Sequence, residues 1–484
     1  MSARILLIFA LYAALCLPCS QDIVEGPLIS SSRIIEVPID YPTVQAAIDA
    51  AGPEDTIIVK KGIYYERLVI DKSVSLFGED KMLTVIDGNG TGSVVTINAN
   101  NVSLSGFTIK NSGSDTYLSD SSGILILGSG CIICDNYLAQ NDVGIYIFAA
   151  CNNTLCGNYV MNSSFYGILV DYSFEVNIIS DNVIMGSELD FGIGLDSSSC
   201  QVIRNNTIIG CLYNGIFVYS FTGQKPMENL LIGNIVANSS IGINLVNASY
   251  NIIKRNSVEN SVIYGLKLFR AENNVVYYNN FVNNMVSAYS YKSNNAWDGG
   301  YPLGGNYWSD HESNDEFHGL NQDKLGGDGL GDASYYIDTN NVDHYPLMAP
   351  IKTFNAGTWD GLSYNVDVVS PSVVSNFQFD PDSDLPSITF DVSGEIGTNR
   401  FCRVHIPKNL LGVENGWVIY ADDEQLDYLA LSDDSCTYLY FTHHIGLKTV
   451  RIIGTYAISE FSSAILMLLF TVLAVLVTIF RIRF

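Results

Sequence analysis

GILI at 123–126, GIYI at 144–147, GILV at 167–170, GIGL at 192–195, GIFV at 215–218, GINL at 242–245 and GLKL at 265–268 are one strand written repeatedly. The openings fall 21, 23, 25, 23, 27 and 23 residues apart. An asparagine keeps the same register: Asn136, Asn158, Asn182, Asn206, Asn234, Asn256 and Asn279, in segments such as NIISDNVI and NIIKRNSV. Two separate markers sharing one period predict a solenoid.

Around these markers the chain carries short runs of alternating apolar residues split by Gly, Asn and Ser, with no sustained helical period. A unit of that size cannot bury an apolar face alone, whereas stacked copies cover one another. Strands joined in this way lie parallel, and such connections are right-handed. The predicted fold class is all-β: a right-handed parallel β-helix rising about 4.8 Å per coil, then a small antiparallel β-sandwich and a C-terminal transmembrane helix.

Alternation along the first strand points Ile124, Ile145, Ile168, Ile193, Ile216, Ile243 and Leu266 inward. Ile126, Ile147, Val170, Leu195, Val218, Leu245 and Leu268 follow them. The repeated Asn fits a buried ladder at a coil corner, each amide bonding those above and below; a simple turn-forming role is the alternative. The 215 coil places 19 residues between its Gly and its Asn, against 13 to 15 elsewhere. The excess predicts a protruding loop at Phe221–Met227.

Arg4 followed by ILLIFALYAALCLP reads as a secretory signal peptide over residues 1–20. Residues 33–110 open the solenoid. Within them YPTVQAAIDAAGPED predicts a short amphipathic helix that closes the end of the core. Regular coils occupy 123–290, and an Asp/Gly-rich segment at 297–350 ends the solenoid. Over 355–457 the repeat gives way to alternating strands such as VIYADD and CTYLYFTHH, the predicted sandwich. AILMLLFTVLAVLVTIF at 464–480 carries no charge and precedes Arg481 and Arg483, the pattern of a membrane span with its C-terminus inside.

The opening PTVQAAIDAAGPEDTIIVKKGIYYERLVIDKSVSLFGE resembles that of NosD and pectate-lyase-like β-helix proteins. GGNYWSD at 304–310, GGDGLGDASYYID at 326–338 and DHYPLMAP at 343–350 resemble the end of archaeal NosD-like surface proteins. The resemblance covers residues 33–350 and implies periplasmic copper binding, carbohydrate binding or sugar hydrolysis. SEF at 459–461 is similar to the PEF sorting signals of archaeal surface proteins, which implies removal of the tail.

The chain has 50 acidic against 24 basic residues and a net charge of −26. Such a surface repels nucleic acid and anionic lipid, and argues against polyuronate substrates unless calcium bridges the two. Sequons at Asn89, Asn101, Asn152, Asn162, Asn205, Asn238 and Asn247 are consistent with an exported glycoprotein. Cys134 and Cys156 share one outward position on consecutive coils, within disulfide range. Cys402 with Cys436, the sandwich's own cysteines, is the second predicted bridge.

Outward positions of the first strand hold Tyr146, Phe148, Asp171, Asp196, Phe217, Tyr219 and Phe269. Rings on a flat stacked sheet pack on sugars, so this face is the predicted ligand-binding site; covering by loops or a second subunit is the alternative. Asp171 and Asp196 lie one coil apart, the spacing of an acid and nucleophile pair in a retaining glycosidase. They equally suit a calcium ion. Asp323, Asp328 and Asp332 among glycines offer hard oxygen ligands for Ca²⁺, with an Asx/Gly turn cluster as the alternative. His311, His318 and His344 are the copper candidates. They lack a Met-x-Met or His-rich tract, so copper is not expected. The leading reading is a cell-surface scaffold, anchored by its C-terminal span, that binds carbohydrate or a protein partner; a polysaccharide hydrolase or lyase and a copper accessory protein are the alternatives.

Overall fold

The computed structural model describes residues 32–114, 121–186, 190–359, 361–394, 400–444 and 446–458. Each coil contributes a strand to each of three parallel sheets. The long-strand sheet holds the repeated motif in ten strands, from Leu68–Ile70 to Ala288–Tyr291. A second sheet runs from Ile34–Val37 to Val275–Tyr277 and a third from Gly62–Tyr64 to Tyr307–Trp308, each of eleven strands. All the inward residues named above are fully buried, in one core running the length of the rod. Phe221 and the residues after it project as an exposed loop.

Steric contact explains the motif's glycine. A Cβ at Gly144, Gly192 or Gly215 would lie 2.4 to 2.7 Å from the backbone oxygen of the corresponding glycine in the next coil. It would also meet the Val160, Ile208 or Val236 side chain at 2.1 to 2.4 Å. Only glycine fits this column.

The asparagines stand in file at the corner between the second and third sheets. Nδ2 of Asn182 donates to Oδ1 of Asn206 at 3.0 Å, Asn206 to Asn234 at 3.0 Å and Asn234 to Asn256 at 2.9 Å. A second file, not read from the sequence, runs Asn177, Gln201, Asn229, Asn251, Asn274 and Asn295 at the preceding corner. Its glutamine interrupts the residue type while preserving the amide chemistry, so no single-residue period marks this file.

Each file passes side-chain or backbone N–H groups toward higher coils, so its last member needs an acceptor. Both files end on aspartate. Asn341 closes the second and donates to both oxygens of Asp338 at 2.9 Å. In the first, Asn279 donates to Asn306, whose backbone N–H reaches Asp343 Oδ2 at 2.8 Å. Trp308 Nε1 meets the same oxygen at 2.9 Å. A Cβ at Gly305 would sit 1.9 Å from Asp343 Oδ1. GGNYWSD and DHYPLMAP are thus two halves of one ladder cap.

Burial pushes Asp343 up to about 7, against 3.8 for a free side chain. The folded chain therefore holds a proton that the unfolded chain releases between those values. Through this group the unfolding free energy should fall as pH rises from about 4 to about 7 and level off above. Urea midpoints across that range, compared with those of Asp343→Asn, check this; parallel profiles would refute it.

The helix Val44–Ala50 closes the N-terminal end, with Val44, Ala47 and Ile48 fully buried. Thr43 caps it by accepting from Ala46 N at 3.1 Å. Cys134 and Cys156 pair in register and form the disulfide, with Cα atoms 4.6 Å apart.

Two five-stranded antiparallel sheets follow. Ile351–Trp359, Leu362–Val369, Arg400–Pro407, Cys436–His443 and Tyr428–Ser432 form one. Val373–Asp380, Ser387–Ser393, Lys448–Ile453, Val418–Ala421 and Glu424–Gln425 form the other. Their inner faces share one core.

Two expectations are corrected. Cys402 and Cys436 are free thiols. Cys402 lies opposite Phe441, and Cys436 opposite Pro407, an offset of five residues along adjacent strands. At about 3.4 Å per residue that exceeds disulfide reach. The fold class also loses its transmembrane helix: among the described residues no helix is long and apolar enough to cross a membrane. The one described helix has 7 residues, and the polar ladders and short strands elsewhere provide no such segment. Residues 464–480, the signal peptide and the SEF motif lie outside the described residues.

Candidate functional site on the long-strand sheet

Register sets the geometry. Phe148, Asp171, Asp196 and Tyr219 are successive Cα partners on four coils, and Tyr146, Leu169, Gly194 and Phe217 form the neighbouring row. Tyr146 donates from its hydroxyl to Asp171 Oδ2 at 3.1 Å. Ser197 Oγ donates to Asp196 Oδ1 at 2.9 Å. Asp171 Oδ1 is buried without a hydrogen-bond partner.

Burial raises the Asp171 carboxyl to about 6, reinforced by the charge of Asp196 and opposed by the Tyr146 hydroxyl. Burial also raises Asp196, while the Ser197 hydroxyl stabilises its charge. Burial thus raises both carboxyls, and the two acids stand side by side on adjacent coils. A carboxyl raised by burial and by a like charge beside it is the arrangement from which acid–base chemistry is built.

The rings around them pack on one another rather than lying open. Tyr146 is 7% and Tyr219 5% exposed, whereas Phe148 is 39% exposed. Tyr166, Phe191, Phe217 and Tyr219 form a continuous stack, with successive centroids 4.8, 5.6 and 4.0 Å apart. The Tyr166 and Tyr219 hydroxyls meet at 2.7 Å. A Cβ at Gly194 would lie 2.4 Å from Tyr166 Cε1, so that glycine lets the ring cross the sheet. Strict alternation assigns Tyr166 and Phe191 to the core, because they share parity with Ile168 and Ile193. The ring placed just before the coil glycine was the available signal.

Phe269 stands apart. Val246 separates its row from Tyr219, and its partner is Tyr291, stacked at 5.3 Å. The predicted stripe is thus two patches: acids and rings in the middle of the sheet, and a second aromatic group at its C-terminal end.

A family model described as periplasmic copper-binding protein (NosD) matches residues 175–313, and one described as right handed beta helix region matches 84–232. The solenoid is a right-handed β-helix similar to the NosD family over these residues. A cell surface glycoprotein of the archaeon Methanothermus fervidus is 28% identical over 321 residues, 56% of this chain and 51% of that protein. The chain spans about half the length of this curated relative. The A-module of mannuronan C-5 epimerase AlgE6 from Azotobacter vinelandii has a TM-score of 0.44 at 18% identity, covering 52% of this chain and 74% of the module. XylC in complex with xylose has a TM-score of 0.45 at 10% identity, covering 61% and 72% of the two chains.

The three Asp/Gly-loop aspartates do not converge on one position. Asp323 is exposed. Asp328 is buried and accepts from Leu330 N at 3.0 Å, and Asp332 accepts from Glu316 N at 2.9 Å and Phe317 N at 3.2 Å. Asp315 completes the turn, taking the backbone N–H groups of Asp328 and Gly329. The carboxylates organise the loop backbone, which does not fit a calcium cage. His311 and His318 face the carbonyls of Ala333 and Gly326, and His344 pairs with Asp298 at 2.9 Å. Among the described residues no three His, Cys, Asp or Glu converge on a metal position.

Proposed function

We propose that this protein is an exported cell-surface protein whose β-helix binds carbohydrate through the long-strand sheet. The cell surface glycoprotein relative and the NosD family description support the location. The observation that carries the ligand class is the exposed Phe148 ring standing in one row with the acids Asp171 and Asp196, while Tyr219 beyond them is packed away. Apolar surface with a few convergent polar groups suits a sugar, whose hydroxyls and C–H faces need both. A protein partner is the competing ligand. Retention of the full chain on a glycan array, weakened about tenfold by Asp171→Ala and Phe148→Ser, is the expected result. Unchanged retention by both variants would refute this face.

A second reading, polysaccharide hydrolysis or lysis, rests on the adjacent acids Asp171 and Asp196. With Asp171 titrating at about 6, activity requiring its proton should decline as pH rises above that value. Reducing ends released from a glycan panel, and lost in Asp171→Asn, would establish it. Release by Asp171→Asn at the wild-type rate would exclude this pair. Copper is not expected at the separated histidines, and metal analysis of the purified chain tests that.

A further inference from the structure

We infer that the C-terminal end of the long-strand sheet is an anion subsite for an acidic sugar unit, carboxylated or sulfated. This rests on the carbohydrate-face reading and names the chemistry at one end of that face. Lys267, Arg270 and Lys292 gather there around the stacked rings of Phe269 and Tyr291. Lys267 Nζ lies 6.0 Å from the centroids of both Tyr264 and Phe269. The Arg270 guanidinium is 5.4 Å from Phe269, and Lys292 Nζ 5.4 Å from Tyr291.

The charge arrangement is unfavourable as it stands. Arg270 and Lys292 each follow a member of the Phe269–Tyr291 register pair, so they occupy matching places on adjacent coils. Like charges so placed across a sheet repel. The chain has 50 acids against 24 bases, yet these three cations gather together, whereas several other cations pair with a carboxylate. Arg33, Lys60, Lys61, Lys81, Lys110, Arg255 and Lys448 each have one. None of the three cations here has a carboxylate within ion-pair distance among the described residues. Glu272 and Asp338 border the adjoining cleft, yet neither pairs with them, and Asp338 is engaged by Asn341.

The surroundings select a sugar among anions. Tyr291 is 41% exposed, so part of the platform is open to a ring's C–H face. The cleft beside it is lined by Ser290, Ser293, Asn294 and Asn340, donors and acceptors for hydroxyls. A polynucleotide, with charge along its length, meets repulsion from the rest of the surface. A single acidic unit within a longer glycan does not. Composition alone argued against acidic polysaccharides, and the local arrangement reverses that argument.

The test uses the full chain on immobilised dextran and on dextran sparsely substituted with carboxymethyl or sulfate groups, which share a backbone and differ in isolated charged units. Three screened surface ion pairs, each contributing roughly two- to fourfold, should give about tenfold or stronger retention on the charged matrices at low salt. The preference should vanish near 1 M salt, where the screening length is about 3 Å. The triple variant Lys267→Gln, Arg270→Gln, Lys292→Gln should lose the preference, keep its retention on neutral array glycans, and be no less heat-stable. A preference that survives in the variant overturns the inference. So does a change in the variant's solution mass, which would assign the patch to a second copy of the chain. If neutral glycans bind neither protein while the charge preference persists and depends on the three cations, the carbohydrate face fails and the anion subsite stands.

Discussion

Replacing Asn206 with leucine should destabilise the chain by about 5 kcal/mol or prevent folding. The side chain donates to Asn234 Oδ1 at 3.0 Å, to the Ile179 carbonyl at 2.9 Å and to the Arg204 carbonyl at 3.1 Å. It accepts from both the backbone and the side-chain nitrogen of Asn182 at 3.0 Å. Apart from the part-buried Arg204 carbonyl, these groups lie at a fully buried corner where water cannot replace a lost partner. Each orphaned group costs about 1–3 kcal/mol, and several are orphaned at once. Leucine's apolar area returns only about 2 kcal/mol. The adjacent Asn205 is the control. It is exposed and left-handed, with φ of 54°, so Asn205→Gly should change stability by less than about 1 kcal/mol. Urea denaturation of the three proteins measures the contrast. Equal midpoints for Asn206→Leu and Asn205→Gly would show that the file carries no stability.

The same chemistry explains what could be read from the sequence. A solenoid repeats its environment, so one buried amide per coil leaves a periodic trace, and the Gly and Asn columns gave the coil length and the inward residues directly. The disulfide at Cys134 was legible for the same reason: equivalent places in consecutive coils are neighbours. Legibility failed where that translation rule stops. In the sandwich, antiparallel pairing sets the register, and Cys402 and Cys436 fell five residues out of step. On the outer face Gly194 lets Tyr166 cross the sheet, a packing choice that no period encodes. The ladder caps were hidden because the acceptors, Asp338 and Asp343, come from a hairpin beyond the last coil.

Removing the Arg255 side chain should cost about 3–5 kcal/mol and reverse the acid response of the variant. Arg255 belongs to the solenoid, and its Nε lies 2.9 and 3.2 Å from the two oxygens of Asp367 in the sandwich. Nη2 approaches Asp367 Oδ2 at 2.5 Å, and Thr353 Oγ1 donates to Oδ1 at 2.6 Å. Burial alone would raise Asp367, but the guanidinium outweighs it and holds the carboxyl below its ordinary value. In the wild type this group contributes stability that is present above the unfolded value of 3.8 and lost as pH falls through its lower folded one. Arg255→Ala leaves the carboxylate buried and unpaired, which costs several kcal/mol. His405 cannot take over, because burial and the nearby Arg403 charge hold it down to about 3, and Arg403 Nε donates to its ring at 3.2 Å. The variant's Asp367 should then take up a proton on folding, so acidification from pH 7 toward 5 should partly restore its stability. Paired replacement, Arg255→Met with Asp367→Leu, removes both charges and should recover much of the loss. Arg255→Ala losing stability on acidification in parallel with wild type would show that Asp367 is hydrated at this junction. The ion pair would then not join solenoid to sandwich.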